Sequence, residues 1–297
     1  MQAKIILNPY SNRWKAGKRW AEAEIALKEA GIGFSLAVSE YRGHDAELAF
    51  MAAAEGYWPL IAAGGDGTIG QIINGLAGFN GESFMGTVGI IPLGTANDLA
   101  VNLGLPLQIN EAVRVIAAGK TRKLDVCRLG NRYFINNSAV GLEPYITSIE
   151  KKIRFIKGIP RYLAAAVKGI GQNPCWQGEI EWDEGSFIGR LNMVSIGNAP
   201  RTGGVFYLTP HADPSDGKLT VLLVEGKSRR ELFSLLPQAM KPDGKFLRAD
   251  GITEFHTSSL RISLQSPSPA HCDGELLEEE LQDFTYTVLP DRLKVFV

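Results

Sequence analysis

The sequence predicts two architectures in series: a parallel α/β domain over residues 1–121 and an antiparallel β-sandwich domain over residues 122–297. Three observations carry this. The first third alternates short apolar runs with helical stripes, the rhythm of a parallel sheet covered by helices. Past Lys120 the runs become short and β-rich, parted by Gly, Pro, Asn, Asp and Ser, as antiparallel strands are. Two glycine-rich segments, at 64–68 and 94–98, each stand between a buried run and a helical stripe. In such sheets ligands bind beyond the carboxyl ends of the strands.

Taken in order, residues 4–7 read as the first strand. Trp20, Ala23, Leu27 and Ala30 then share a helix face, with Gly31 as the C-terminal cap. Residues 34–38 form a second strand, and Ala46, Ala49, Phe50 and Ala53 a second stripe stopped by Gly56. An apolar run from Trp58 leads into the first glycine turn, and Ile69, Ile72, Ile73 and Leu76 lie on one face after it. Residues 88–91 are a fourth strand, and 111–118 a helix stopped by Gly119. The boundary falls between Gly119 and Leu124 without a long linker. β-rich runs follow at 123–129, 132–137, 179–182, 191–197, 219–224, 260–264, 284–289 and 293–297. Between them lies a helical stretch, 146–170, in which Lys151, Lys152, Arg154, Lys157, Arg161 and Lys168 alternate with Ile153, Phe155, Ile156, Ile159, Leu163 and Val167. That pattern suits either docking on anionic lipid or an ordinary surface helix over the sandwich.

The chain has 297 residues, 45% hydrophobic and 21% charged, ordinary values for a globular protein of about two domains. A net charge of −1 argues against a nucleic-acid binder, which carries a basic excess. Cys127, Cys175 and Cys272 are widely spaced, as in a reducing cytoplasm, and fit neither a disulfide framework nor a metal cluster. The N-terminus reads as a strand and not as a signal peptide, and no apolar run reaches the roughly 18 residues a membrane span needs. A cytoplasmic protein acting on lipid would therefore visit the membrane surface peripherally.

The chemistry concentrates in the glycine turns. Gly64, Gly65 and Gly67 are expected to adopt backbone conformations closed to other residues and to let a ligand approach. The N–H groups of the following helical turn, with its dipole, favour an anion such as phosphate. Asp66 would repel phosphate, so it is expected to hold a metal ion, orient a metal-bound water or take a proton. In the second turn Thr95 either donates its hydroxyl to a phosphate or caps the helix, and Asn97 and Asp98 either serve the ligand or occupy the first helical turn. Two such turns on neighbouring strand ends suit a polyphosphate, which needs donors from more than one side. Asn8 to Ser11 and Ser39-Glu40 would lie on the same rim. Far along the chain, Asp273-Gly274-Glu275 reads as a hairpin turn or a catalytic segment.

These residues together resemble the diacylglycerol kinase catalytic family, which includes soluble bacterial lipid kinases, sphingosine kinases and ceramide kinases. The matching positions are Asn8-Pro9-x-Ser11, Gly64 to Thr68, Pro92-Leu93-Gly94-Thr95-x-Asn97-Asp98, Gly197-Asn198 with Gly203-Gly204, Pro210 through Asp216-Gly217, and Asp273-Gly274-Glu275. They run in family order through nearly the whole chain. The resemblance implies a nucleotide-binding domain followed by a β-sandwich domain for a lipid substrate, with ATP as phosphoryl donor and Mg2+ as cofactor. It implies that Asn8, Ser39, Gly64, Gly65, Asp66, Gly67, Thr68, Gly70 and Thr95 contact the nucleotide, and that Glu275 accepts the proton. Asp66 matches a catalytic or metal-linked residue. Asp213, Asp216 and Lys218 match a magnesium site, Asp216 by its carboxylate and the other two by backbone carbonyls. Two departures stand out: Gly70-Gln71 where the family continues with Asn then Glu, and Asn12 where it has glycine. The first bears on nucleotide affinity or base preference; Asn at the second can also reach positive φ.

The alternatives are phosphorylation of a soluble acceptor in the manner of NAD kinases, which share the glycine-aspartate turn, and a non-catalytic nucleotide or lipid sensor. The sequence leaves open the lipid and the oligomeric state, a homodimer included.

Overall fold

The computed structural model describes residues 2–81, 83–153 and 158–297, of Ile159 the backbone only. The chain divides into two compact units, Met1–Val126 with Leu289–Val297, and Cys127–Val288.

In the first unit the strands are β1 (Ala3–Leu7), β2 (Phe34–Val38), β3 (Leu60–Gly64) and β4 (Gly86–Pro92), and the helices are α1 (Ser11–Glu29), α2 (His44–Ala54), α3 (Asp66–Asn80), α4 (Asp98–Asn102) and α5 (Ile109–Ala118). β1 to β4 pair in parallel, in the order β2-β1-β3-β4, and residues 293–295 add a further parallel partner to β4. The period of two in β1 sends Ala3, Ile5 and Leu7 into a core shared with Ala23, Ala26 and Leu27 of α1 and Val113 and Ile116 of α5. Central β3 is buried throughout, which is why its sequence is an unbroken apolar run. Gly31 ends α1 as expected: its N–H reaches the Lys28 carbonyl while that of Ile32 reaches Leu27, a Schellman closure. Phe50, expected on the buried stripe of α2, is 44% exposed and meets Phe79 edge to face instead.

The strand order reverses between β1 and β3. The carboxyl edge there is the switch point, where doubly wound sheets bind ligands.

The second unit begins within β5 (Thr121–Leu129) and continues with β6 (Arg132–Phe134), β7 (Asn137–Gly141), α6 (Leu142–Lys152), α7 (Ile159–Gln172), β8 (Trp176–Trp182), β9 (Gly185–Gly197), β10 (Leu219–Glu225), α8 (Arg229–Ala239), β11 (Ile252–Thr257), β12 (Ser259–Ser268), β13 (Ala270–Cys272), β14 (Glu275–Leu276) and β15 (Leu281–Phe296). Its described pairings are antiparallel, as the β-sandwich expectation requires. Val194, Ile196, Val221, Leu223, Ile262, Phe284 and Tyr286 fill one core. The other face of β9 and β10 is covered by α6, α7 and α8 through Ile146, Ala166, Met193, Leu222 and Leu232.

Several elements differ from expectation. The last two expected strands are one, β15, and its tail returns to the first unit, where the sequence reading kept 122–297 together. The reason is visible in the packing: Leu293 and Val295 are buried and pair with β4. The helical stretch 146–170 is two helices, α6 and α7. Arg161 is half-buried against Glu150 (Nε to Oε1, 2.5 Å), so its charge serves that pair rather than an open basic face. Lys151, Lys152 and Lys168 are exposed, as is Val167; Arg154, Phe155, Ile156, Lys157 and the Ile159 side chain lie outside the described residues. Among the described residues no helix is long and apolar enough to cross a membrane.

Candidate active site

The first glycine turn joins β3 to α3 as expected, but its glycines serve another end. Gly64, Gly65 and Gly67 are absent from the positive-φ positions. Gly65, at φ −110° and ψ −169°, has a backbone open to any residue. The constraint is space. A Cβ on Gly65 would stand 3.0 Å from the Gly94 Cα, and one on Gly94 2.5 Å from the Gly65 Cα. One on Gly64 would run into the Thr68 side chain. The two turns thus lie backbone against backbone, and the Leu93 N–H donates to the Gly64 carbonyl at 2.8 Å.

Asp66 joins them further: its Oδ1 accepts from the Leu99 N–H at 3.0 Å, capping α4 from outside its own turn. Within the second turn Asn97, left-handed at φ 48°, is the N-cap of α4, and its Oδ1 accepts from the Gly94 N–H at 3.0 Å. Thr95 therefore does not cap the helix; it is exposed and donates to Asn12 Oδ1 at 3.2 Å. Asp98 is buried in the first turn of α4.

On the neighbouring loops, Asn8 donates through Nδ2 to Asp45 at 2.8 Å and accepts the Tyr10 N–H through Oδ1. Ser39 is buried and its hydroxyl donates to the Tyr41 carbonyl. Thr68 is buried with its hydroxyl 3.3 Å from that of Ser11. Gly70 is buried within α3, its carbonyl held by Asn74. Gly65, Asp66 and Gly67 are half-buried and Thr95 is exposed, so these four stay within reach of a ligand. The first bond of α3 runs from Ile69 to the Gly65 carbonyl. The N–H groups of residues 66–68 lie upstream of it, at the positive end of a helix of 15 residues.

In the second unit Asp273-Gly274 is the two-residue loop of the β13–β14 hairpin, both residues at positive φ, 47° and 77°. The Asp273 carboxylate accepts three backbone N–H groups, from Ile135, Asn136 and Asn137, at 2.8–3.1 Å. Glu275 follows on β14, with Arg132 3.4 Å from Oε2 and a quarter of its side chain exposed. At residues 213–218 the Asp213 carboxylate accepts from Ser215, and Asp216 Oδ1 accepts from the Lys218 N–H at 2.9 Å. Among the described residues there is no group of three or more His, Cys, Asp and Glu suited to a metal. A cation at this turn would take one carboxylate and backbone carbonyls, an all-oxygen set that suits a hard ion.

A feature the sequence reading missed lies under α6, α7 and α8: a recess of about 650 Å3, its mouth included. Its walls are apolar, among them Ile146, Ala166, Met193, Leu222, Leu235 and Phe246, with one carboxylate, Glu143. Glu143 is 4% exposed and accepts from Asn137 Nδ2 and Ser195 Oγ, each at 2.9 Å, with His271 Nε2 3.2 Å away. The Gly274 N–H points to His271 Nδ1, which leaves the proton on Nε2, toward Glu143. The signal was a buried acid just after a strand, but the expected run ended at Asn137 and no strand was expected over residues 138–141 of β7.

The diacylglycerol kinase catalytic domain profile matches residues 2–129, and the YegS C-terminal NAD kinase beta sandwich-like domain profile matches residues 137–297. A diacylglycerol kinase of Staphylococcus epidermidis is 30% identical over 295 residues, covering 96% of this chain and 92% of the relative. One of Staphylococcus aureus is 30% identical over 275 residues, covering 92% and 86%. The crystal structure of a diacylglycerol kinase from Bacillus anthracis superposes with a TM-score of 0.76 over 99% of this chain and 96% of that one; at 18% identity this likeness speaks for the fold alone. The turn, the hairpin and the two-unit fold thus stand in a chain that belongs to the diacylglycerol kinase family, phosphotransferases with an alcohol group as acceptor.

Proposed function

We propose that this protein transfers the γ-phosphoryl group of ATP to a hydroxyl of a lipid such as diacylglycerol. The observation that carries the lipid acceptor is the apolar recess of the second unit. A space walled by Ile, Leu, Met and Phe side chains suits acyl chains, whereas the ribose of a soluble nucleotide acceptor would leave its hydroxyls unpaired there.

The N–H groups at 66–68, with Thr95 and Ser11 beside them, bind the triphosphate. Asn8 and Ser39 support the loops, since their polar atoms already have partners in the protein. The acceptor oxygen forms the new P–O bond as the bond to the β-phosphate oxygen breaks and ADP leaves. Glu275 takes the proton that the hydroxyl gives up, a role worth roughly 10²–10⁴-fold. Asp66 braces the two glycine turns through Leu99 and, half-buried, stays within reach of the ligand or its metal. The Asp216 carboxylate and the carbonyls of Asp213 and Lys218 would hold magnesium at 213–218. When bound it would supply positive charge that offsets negative charge nearby. Lys151, Lys152 and Lys168 favour an anionic membrane surface, so the protein works peripherally from the cytoplasm.

The test is incubation with labelled ATP, Mg2+ and separate pools of diacylglycerol vesicles and NAD. Label in the lipid pool is expected; label in NAD alone, or in neither, refutes the assignment. Glu275→Gln should fold, retain ATP binding and lose at least about 100-fold in turnover. Turnover near that of the unchanged protein removes Glu275 from the role.

A further inference from the structure

We propose that Tyr10 and Trp14 form the platform on which the purine base of the donor nucleotide stacks. This rests on the nucleotide reading above and deepens it, naming what holds the base where Gly70 stands in place of the family's asparagine.

Trp14 is 68% exposed and Tyr10 39%, in a chain whose other tryptophans are buried or half-buried. Their rings meet edge to face with centroids 4.5 Å apart, so the pair is stiff and presents a fixed aromatic surface. The backbone beneath is unusual. Asn12, Arg13 and Trp14 are all left-handed, at φ 51°, 55° and 72°. Residues with a Cβ avoid this region, and a run of three persists only where the surroundings impose it.

The surroundings do impose it, and they are the glycine turns. Ser11 Oγ lies 3.3 Å from Thr68 Oγ1 at the start of α3. Thr95 of the second turn donates to Asn12 Oδ1 at 3.2 Å. The Tyr10 hydroxyl donates to the Glu40 carbonyl at 3.0 Å, tying the elbow to the loop after β2. The elbow is thereby fastened to three of the loops on the carboxyl edge, with its polar side chains turned to the phosphate turns and its aromatic pair turned to solvent. A nucleotide with its phosphates at residues 66–68 has its base as the one large flat group left to place, and a base stacks on an aromatic face without needing matched hydrogen bonds. Such a platform favours purines over pyrimidines by stacking area and separates adenine from guanine weakly.

The experiment titrates Mg·ATP and Mg·tripolyphosphate, which lacks base and ribose, into the unchanged protein, Trp14→Ala and Trp14→Phe by calorimetry. Circular dichroism confirms folding of each variant. Trp14→Ala is expected to weaken ATP roughly 5- to 150-fold, the range of one base–aromatic stack, while tripolyphosphate binding holds and Trp14→Phe keeps most of the ATP affinity. Unchanged ATP affinity in Trp14→Ala overturns the platform and leaves the nucleotide reading standing. Equal weakening of both ligands also overturns it, since the elbow would then serve only to brace the phosphate turns. If the unchanged protein binds neither ligand, the nucleotide reading falls first and the platform with it.

Discussion

Substituting Gly94 by alanine puts the contact between the two glycine turns under direct test. The new methyl carbon would stand 2.5 Å from the Gly65 Cα and 2.6 Å from Asn97 Oδ1. Carbon atoms rest at about 3.5 Å or more, so the turns must separate by about 1 Å. The Asn97 carboxamide must also leave the Gly94 N–H it now accepts. Overpacking of this kind costs about 1–3 kcal/mol, and the lost hydrogen bond about 1 kcal/mol more. The sum, about 2–4 kcal/mol, is within what a folded domain withstands. Function is more sensitive, because a misplacement of about 1 Å near the reacting groups costs on the order of 100-fold. The expected result is a folded protein with a lowered thermal midpoint, weakened Mg·ATP binding in calorimetry and turnover down about 100-fold. Gly33→Ala is the control, for a Cβ there meets nothing within 4 Å and its φ is not positive. Gly94→Ala with the midpoint and turnover of the control would refute the backbone-to-backbone contact and the placement of the phosphate site on it.

Filling the recess with Ala166→Trp should displace about two methylenes of an acyl chain, at about 0.8 kcal/mol each, and lower lipid affinity roughly tenfold, with ATP binding unchanged; unaltered lipid kinetics would deny the recess to the substrate. Asp183 carries a lowered pKa, because the Ser258 N–H and hydroxyl and the Ser259 hydroxyl hold its carboxylate ionised. Its contribution to stability is complete above the unfolded value near pH 3.9 and fades as pH falls toward the lower folded value, so Asp183→Asn should be destabilised at neutral pH and show a shallower acid transition in urea melts from pH 6 to 2; identical transitions would exclude it. The Cys272 thiol is pushed up to about 12 by burial, so iodoacetamide at pH 8 should modify half-exposed Cys175 and spare Cys272 until the protein unfolds, read by peptide mass mapping.

Much of the fold was legible because it depends on local pattern. Strands β1 to β4 announce themselves as apolar runs, and Gly31, Gly56 and Gly119 end their helices by a conformation that needs glycine. The glycine turn was legible as to place but not as to cause. Sequence alone suggested left-handed backbone at Gly64 and Gly65, whereas the need for glycine comes from Thr68 and Gly94, close only in the folded chain. The return of β15 to β4 and the recess under three helices have the same origin: both depend on contacts across long stretches of sequence, which periodicity does not encode. Asn12 reached positive φ as its type permits, but nothing in the pattern announced that Arg13 and Trp14 would follow it.

Within the second unit one hydrogen-bonded path links the proposed base to the proposed lipid recess. Asp273, held by three N–H groups from the segment leading into β7, fixes the hairpin that bears Glu275. Asn137 of that segment also donates to Glu143 in the recess wall, and His271, one strand residue from the hairpin, faces the same carboxylate. Asp273 is spent on this fixation, whereas Glu275 stands beside Arg132 with a quarter of its side chain exposed. The carboxylate engaged by three donors orders the backbone, and the partly exposed one beside it is the proposed base. β7 pairs with the strand that leads into the hairpin and runs directly into Leu142 and Glu143 of the recess wall, so under the proposed function an acyl chain seated against Glu143 would meet a base whose position is already set, with little ordering left to oppose the transfer step.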